Sequence, residues 1–393
     1  MSKLGYRLWL GKRCAEVAGH MVRERIRPAE LRTRSDVPRD GLDLNVEWLT
    51  DVLCQDHPGA RVTSFHSPGG SVGTSTRSAL RVTYNDAGTA ANLPTELFTK
   101  TTAAFSQRMV LGGADVLRGE TAFFLIFRPK VEMEAPLGYW GGVDDASWRS
   151  MIIMEDIAAT KGAEFIRATE PLTRTEVADV VANMAAYHGT WWEAPELATL
   201  KSPRDHYRNV ANFMDMGGRA AVGMERAKTV IPQRLHGQAD RMWAGTQKAL
   251  DLATDSLPRT LLHGDSHVGQ TYRTADGRMG LTDWQATLAG GWAWDFAYFV
   301  GSACEPEDRR VWERDLLQGY LEGLAAAGGK APTFDEAWLA YRQQLFYPYS
   351  AWAFTIGRAF YQPKMQPVDT CLAIIKRLAT AIDDLDSFAA LGI

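Results

Sequence analysis

A chain of 393 residues with 46% hydrophobic and 23% charged side chains carries enough apolar material for the core of two or three domains, which excludes a disordered or disulfide-scaffolded class. Its formal net charge of −4, with no run of five or six lysines and arginines, gives no electrostatic case for a nucleic-acid partner. Four scattered cysteines (Cys14, Cys54, Cys304, Cys371), no CxxC pair and no secretory signal point to a reduced, cytoplasmic setting, and the most apolar run, 122–127, is far short of the roughly 20 residues that cross a bilayer, so no membrane partner is expected.

Residues 1–50 are polar and basic, and the turn residues of "RSDVPRDG" separate an expected leading helix from a short one at "VEWLTDVLC". From 61 to 155 the pattern is that of strands, at "RVTSFHS", "SALRVTYND", "PTELFTK", "GYWGGV" and "RSMIIMED", with one helical piece between Ala103 and Phe127. Helical periods dominate from about residue 170. Thr173 and Glu176 have capping-box spacing, after which Val177, Val180, Val181, Met184 and Tyr187 fall on one helix face. Among the helices lies one β-hairpin region: "TLLHGD" and "TYRT" lead into the turn "ADGR", where Asp276-Gly277 favours a tight reversal, and then into the strand "MGLTD". The tail from Asp308 reads as several amphipathic helices rich in Trp, Tyr and Phe. The fold class is therefore α+β, a β-rich first part followed by a larger, mostly helical one.

The chemistry concentrates in "LLHGDSHVGQTY" and the "LTDWQ" that follows it. Asp265 precedes Gln270 by five positions and Asp283 by eighteen, the last at the end of an expected strand. Phosphoryl transfer from ATP needs such a set: one carboxylate to orient the attacking hydroxyl and accept its proton, and an amide oxygen and a second carboxylate on Mg2+. The protein-kinase signature has the same interval of five between its catalytic Asp and its Asn. Alone, two histidines around a turn are as readily loop staples.

The remaining parts of such machinery would lie upstream in a fixed order. A lysine at the end of the third strand, Lys100, suits the α- and β-phosphates as a point charge; Glu120, on the following helix, would hold it. A glycine-rich turn, "PGGSVGTST", brings Gly70, Ser71 and Gly73 to the place where backbone amides approach phosphate. Singly these are a strand-end lysine, a surface glutamate and a hairpin loop. Their joint order gives them weight.

With "LLHGDSHVGQTY", "LTDWQ" and "GGWAWDFAYFV" on the page, the chain resembles the aminoglycoside phosphotransferase and choline kinase-like superfamily, within its ecdysteroid-kinase-like branch of small-molecule phosphotransferases; "LFTK", "GETAFF", "MIIMEDI" and "MAAYHGTWW" extend the likeness from about Val46 to near the C-terminus. The resemblance implies a bilobal protein-kinase-like fold with a small β-rich N-lobe and a larger mostly helical C-lobe. In residue ranges, a helical extension (1–45) would precede an ATP-binding N-lobe (46–157) and a C-lobe (158–393) with the catalytic loop and acceptor site. It implies transfer of the γ-phosphate of ATP to a hydroxyl of a sugar-like, aminoglycoside-like or apolar alcohol. By that likeness Asp265 is the catalytic base, Gln270 and Asp283 hold Mg2+, Lys100 and Glu120 pair across the nucleotide, and Met154, Glu155 and Ile157 belong to the adenine hinge. The aromatic stretches "FYPYSAWAF" and "GRAFYQP" lean toward an apolar or sugar-like acceptor rather than a polycation.

Two features depart from the pattern. Gln270 stands where Asn is usual, which keeps the amide oxygen on a longer arm, and the glycine turn lacks a regular GxGxxG. His263 is expected to bury under the loop and bond its backbone, His267 to orient the loop, Asp295 to cap it from a helix, and His188 to pack in the core with Trp191, Trp192, Trp292 and Trp294. Two other readings remain: a catalytically silent nucleotide-binding protein of the same fold, and a zinc hydrolase using His263, Asp265 and His267, which leaves Lys100 unexplained.

Overall fold

The computed structural model describes residues 3–27, 30–41, 43–360, 362 and 364–393. The chain divides into two compact units, Met1–Lys130 with Pro136–Ala163, and Val131–Ala135 with Glu164–Ile393.

The first unit opens with helices α1 (Lys3–Ile26) and α2 (Val46–Leu53), the latter capped by the Asn45 side chain accepting from Trp48 N at 2.7 Å. Strands β1 (Val62–His66), β2 (Gly70–Val72) and β3 (Thr76–Tyr84) follow, then α3 (Asp86–Ala90) and β4 (Glu96–Thr101). After α4 (Phe105–Gly113) and α5 (Gly119–Ala122), β5 (Gly138–Asp144), β6 (Arg149–Glu155) and α6 (Ile157–Lys161) complete the unit. The antiparallel sheet runs β1-β3-β4-β6-β5, with β2 also on β3. Trp48 and Leu49 of α2 share one buried cluster with Leu80, Leu97, Met151 and Ile153 of the strands, and Trp48 meets Trp140 edge-on at 4.8 Å. Alternation along β4 puts Leu97 on that core face and Lys100 on the other.

The single helical piece expected between Ala103 and Phe127 is instead broken. α4 ends at Gly113, Asp115 takes a left-handed φ of 58°, and α5 continues into a π-helical turn, Phe123–Phe127. The reason is local: the paired glycines Gly112 and Gly113 weaken the helix end, and a Cβ at Gly112 would lie 2.2 Å from the Trp148 ring. Helix α1 is tied to α4 by Glu24, whose carboxylate receives Arg108 at 2.7 and 3.0 Å and Arg149 at 3.3 Å.

The second unit comprises β7 (Glu164–Phe165), α7 (Arg174–Thr190), α8 (Pro203–Met214), α9 (Met216–Arg226) and α10 (Ala239–Asp255). Next come β8 (Arg259–Leu262), β9 (Thr271–Arg273), β10 (Met279–Leu281) and β11 (Leu288–Gly291). The helices α11 (Ala293–Ala303), α12 (Pro306–Ala326), α13 (Phe334–Gln343), α14 (Phe346–Ile356), α15 (Val368–Asp384) and α16 (Ser387–Leu391) finish it. Helix α7 starts with the capping box Thr173/Glu176 and buries Val177, Val180, Val181, Met184 and Tyr187. Among the described residues no helix is long and apolar enough to cross a membrane.

Here the strands differ from the sequence expectation of one hairpin. β9 and β10 form the hairpin, turned at Gly277 (φ 86°) and extended by β7, but β8 pairs with β11 in a sheet of its own. The stretch "LAGG" of β11 has no β-branched residue to mark it as a strand. Its glycines serve close packing instead: a Cβ on Gly290 would meet Pro203 at 2.7 Å, and one on Gly291 would meet Leu257 at 2.5 Å.

Candidate active site

The loop between β8 and β9 is shaped by α11. Leu261 and Leu262 are buried, and the chain then turns at Gly264 with φ 83°, where a Cβ would lie 2.1 Å from the Ala286 carbonyl oxygen. The Asp295 carboxylate, fully buried on the first turns of α11, accepts His263 N–H at 2.6 Å, Gly264 N–H at 3.0 Å and the Ser266 hydroxyl at 3.2 Å. From α7 it also accepts the Tyr187 hydroxyl at 2.8 Å and faces His188 Nε2 at 3.4 Å. Burial alone would raise its pKa; these donors outweigh that and hold the carboxyl below its ordinary value. Burial keeps His188 neutral, its pKa below the usual value, and Tyr320 meets its Nδ1 at 2.8 Å. Trp294 Nε1 bonds the Gly264 carbonyl at 3.0 Å and the Ser302 hydroxyl accepts Val268 N–H at 3.2 Å, so the loop is held from α11 at several points.

His263 lies under the loop. Its Nε2 donates to the Thr282 carbonyl at 2.9 Å, which fixes the tautomer and leaves Nδ1 to accept Asp265 N–H at 3.3 Å. His267 accepts Gly269 N–H on Nδ1 at 3.0 Å, so its Nε2 carries the proton and faces Asp265 Oδ2 at 3.8 Å; burial lowers its pKa. With its nitrogens engaged in this way, His263 has no lone pair for zinc, which argues against the hydrolase reading.

Asp265 itself is the open point of a buried loop: its side chain is 41% exposed, against 7% for His267. The Gln270 amide donates from Nε2 to Asp265 Oδ2 at 3.4 Å. Thr282 N–H bonds the Gln270 carbonyl at 2.9 Å, and Asp283 follows at once in a left-handed conformation, φ 60°, ψ 60°. The second unit therefore brings Asp265, Gln270 and Asp283 into one neighbourhood. Aromatic rings form its wall: Tyr298 of α11 packs against the His267 ring at 6.1 Å, Tyr347 stands edge-on to Tyr298 at 6.4 Å, and Trp352 meets the His267 ring at 4.9 Å.

In the first unit the Lys100 ammonium lies 2.9 and 3.2 Å from the two Glu120 carboxylate oxygens, both side chains 7% exposed. The expected glycine-rich turn is partly a strand: Gly70 and Ser71 lie on β2, paired with β3, and Gly73 on the turn between them, all three exposed. That turn is tied to α4 by Gln107, whose Nε2 donates to the Gly73 carbonyl at 3.0 Å and whose Oε1 accepts the Thr76 hydroxyl at 3.2 Å. Met154 and Glu155 end β6, and Ile157 begins α6; all three are buried. Glu155 exchanges backbone and side-chain bonds with Leu137 N–H and carbonyl and accepts Thr160 at 2.8 Å, so its carboxylate is spent on shaping this corner.

Sequence reasoning placed Tyr187 on a buried helix face without its bond to Asp295, and passed over Gln107 and Tyr298. For Tyr298 a signal exists, because in "WDFAY" it stands three residues after Asp295 and so on the same helix face. The stretch "FYPYSAWAF" forms α14; of "GRAFYQP", Tyr361 and Pro363 lie outside the described residues. Phe360 lines a cavity of about 540 Å³ together with Met214, Asp215, Arg219, Arg226 and Gln362, none of them a candidate site residue.

Gln270 and Asp283 fit a hard divalent cation by donor chemistry. With Nε2 turned to Asp265, Gln270 keeps its amide oxygen available, and Asp283 adds a carboxylate. Among the described residues no three His, Cys, Asp or Glu side chains converge on a metal position, which suits Mg2+ held chiefly through phosphates and water rather than by a protein cage.

Residues 108–343, more than half of the chain, match the sequence model of the phosphotransferase enzyme family. No curated protein matches significantly in sequence. Among solved structures, the chain is similar to a choline/ethanolamine kinase family protein from Mesorhizobium loti, at 15% identity over 85% of this chain and 93% of that one (TM-score 0.44). It is also similar to a choline kinase from Streptococcus pneumoniae, at 12% identity over 82% and 94% (TM-score 0.41), and to a type VIII aminoglycoside-3'-phosphotransferase, at 17% over 76% and 95% (TM-score 0.39).

Proposed function

Because the chain belongs to the phosphotransferase enzyme family, as a small-molecule kinase of the aminoglycoside phosphotransferase and choline kinase-like superfamily, we propose that it moves the γ-phosphate of ATP to an alcohol, with Asp265 as the base. The observation that carries this reading is a half-open carboxylate at the tip of an otherwise buried loop, with the Gln270 amide at 3.4 Å. In the reaction the acceptor oxygen forms the new bond to phosphorus, its proton passes to Asp265, and the bond to the ADP oxygen breaks. Gln270 and Asp283 would hold Mg2+, which neutralises phosphate charge when bound. Lys100, kept in place by Glu120, takes the α- and β-phosphates; the amides of Gly70, Ser71 and Gly73 cover phosphate; and the backbone at Met154, Glu155 and Ile157 receives the adenine. The protein's contribution is then positioning and electrostatics rather than covalent chemistry.

For the acceptor, the aromatic wall of Tyr298, Tyr347 and Trp352 beside Asp265 supports an uncharged, ring-bearing or sugar-like alcohol. A polycation would want further carboxylates there.

The test is ATP consumption with Mg2+ by the purified protein across sugars, macrolides, sterols, choline and aminoglycosides. The reading expects one acceptor class to stimulate turnover, and Asp265→Ala to lower it by about 10²–10⁴-fold, the range of general-base catalysis, with nucleotide binding retained. Undiminished turnover in Asp265→Ala, or no ATP binding by the parent, would sink it.

A further inference from the structure

We propose that the cavity at the junction of α8 and α9 is a second small-molecule site, which takes a compact acid: a carboxylate or phosphate carried on an apolar ring. None of the residues assigned to phosphoryl transfer lines it, and the inference stands whether or not Asp265 is the base.

The frame of the cavity is built by close helix packing. Gly223 of α9 and Gly357 at the end of α14 bring the two backbones together: a Cβ on Gly223 would lie 1.7 Å from the Ala353 carbonyl oxygen, and one on Gly357 1.9 Å from that of Arg219. The chain that leaves α14 is then fastened. Arg226 Nη1 donates to the Ile356 and Arg358 carbonyls at 2.6 and 3.0 Å, and Arg358 Nη1 to the Gln362 carbonyl at 2.9 Å. The Gln362 side chain accepts Ala359 N–H at 2.7 Å and donates to the Met214 carbonyl at the end of α8 at 3.4 Å. About 540 Å³ remains between these parts, within the range of roughly 300–1,000 Å³ that small-molecule sites occupy.

The charge in the wall favours an anion. Arg219 and Arg226 are seven positions apart on α9, hence on one helix face and about 10 Å apart along its axis. Arg226 spends Nη1 on the end of α14. Half-buried Arg219 spends nothing: among the described residues its guanidinium has neither a hydrogen-bond acceptor nor a carboxylate partner, although Asp215 stands four positions before it. Asp215 takes a left-handed φ of 54° and lies over Gly218 instead, where a Cβ would come within 2.8 Å of its carboxylate. A planar guanidinium with its N–H groups unspent receives a carboxylate or phosphate through two parallel bonds. Phe360, 94% exposed at the rim, and Met214 add apolar surface, which a ring-bearing body would cover. A neutral alcohol would leave Arg219 unanswered, and a cation would meet two guanidiniums against one carboxylate.

The test is calorimetric titration of the full-length protein with phenyl phosphate and with phenylacetate, which tells a phosphate ligand from a carboxylate. Parent, Arg219→Ala, Arg219→Lys, Phe360→Ala and Asp265→Ala are compared, with unfolding midpoints to show that each is folded. The proposal expects saturable one-to-one binding of at least one probe. Arg219→Ala should weaken it by about 10- to 100-fold, the factor a charge-assisted bond is worth, and Arg219→Lys, which keeps the charge without the fork, by less. Phe360→Ala should weaken it by about 2- to 10-fold, and Asp265→Ala should bind as the parent does. No saturation by either probe at millimolar concentration, or parental affinity in Arg219→Ala, would overturn the proposal. Loss of binding in Asp265→Ala would overturn it as well, because the probe would then sit at the reactive loop.

Discussion

The carboxylate of Asp295 receives the backbone N–H of His263 at 2.6 Å, thirty-two residues earlier in the chain. A turn as tight as the one at Gly264 leaves amides without carbonyl partners, and a buried acceptor on a helix supplies what the loop cannot. Asp295→Asn replaces one accepting oxygen by a donor among five donors. Each buried donor left without an acceptor costs about 1–3 kcal/mol. With two donors on one oxygen and three on the other, the variant should therefore lose at least about 2 kcal/mol of stability, read by urea unfolding, and be inactive at temperatures where it is still folded.

Gly264→Ala should separate stability from turnover. The positive φ of 83° and the Ala286 carbonyl at 2.1 Å from the new methyl force the backbone to shift. Strain of this kind costs on the order of 1–3 kcal/mol, which leaves most of the molecule folded. Asp265 is the next residue, so transfer should fall by more than 10²-fold, the penalty of about 1 Å of misplacement. A well-folded Gly264→Ala enzyme with parental kcat would show that the turn is dispensable.

Lys100 and Asp265 should fail in different ways. Lys100→Met removes the charge that takes phosphate and should raise KM for ATP by about 10- to 100-fold, as expected for charge-assisted bonds. Asp265→Asn should leave ATP affinity near parental and reduce kcat. Calorimetric titration with an ATP analogue separates the two; equal affinity loss in both would dissolve the division of labour.

His206 gives the protein a pH dependence away from the site. It lies on α8, 7% exposed, and burial, with some contribution from Lys201, lowers its pKa to about 4. A depressed histidine is neutral in the fold while the unfolded chain takes up a proton near pH 6.5, so stability is full above that value and declines as pH falls toward 4. The span of about 2.5 units corresponds to roughly 3 kcal/mol at most. Unfolding midpoints should drop between pH 7 and 5, and His206→Gln should flatten that slope; an unchanged slope would point to other groups.

What is legible in the sequence is what is local. The interval from Asp265 to Gln270, the capping box at Thr173 and the reversal at Gly277 are each specified within a few residues, and the β-branched strands of the first unit declare themselves by alternation. The α+β class follows from those elements. What escapes is set at a distance or by packing. β11 pairs with β8 although it carries two glycines, one packed against Pro203 of α8 and the other against Leu257 just past α10. The break after α4 depends on the Trp148 ring, which is far away in sequence. The five donors on Asp295 come from two other elements, so its residue type is readable but its set of partners is not. Tyr298 looks like one aromatic among many in a helix that is buried throughout.

The pairing of Glu24 with Arg108 spans 84 positions and closes on a guanidinium with no exposure at all. Glu24 cannot be given up alone, because Arg108 would stay charged and buried at a cost of about 3–5 kcal/mol, whereas Glu24 without Arg108 would keep Arg149 at 3.3 Å. The two positions are therefore bound to a common history. Among relatives of this chain, loss of the acidic residue on the leading helix should coincide with an uncharged residue at the place of Arg108, and that single correlated pair would tell which of them carry the helix.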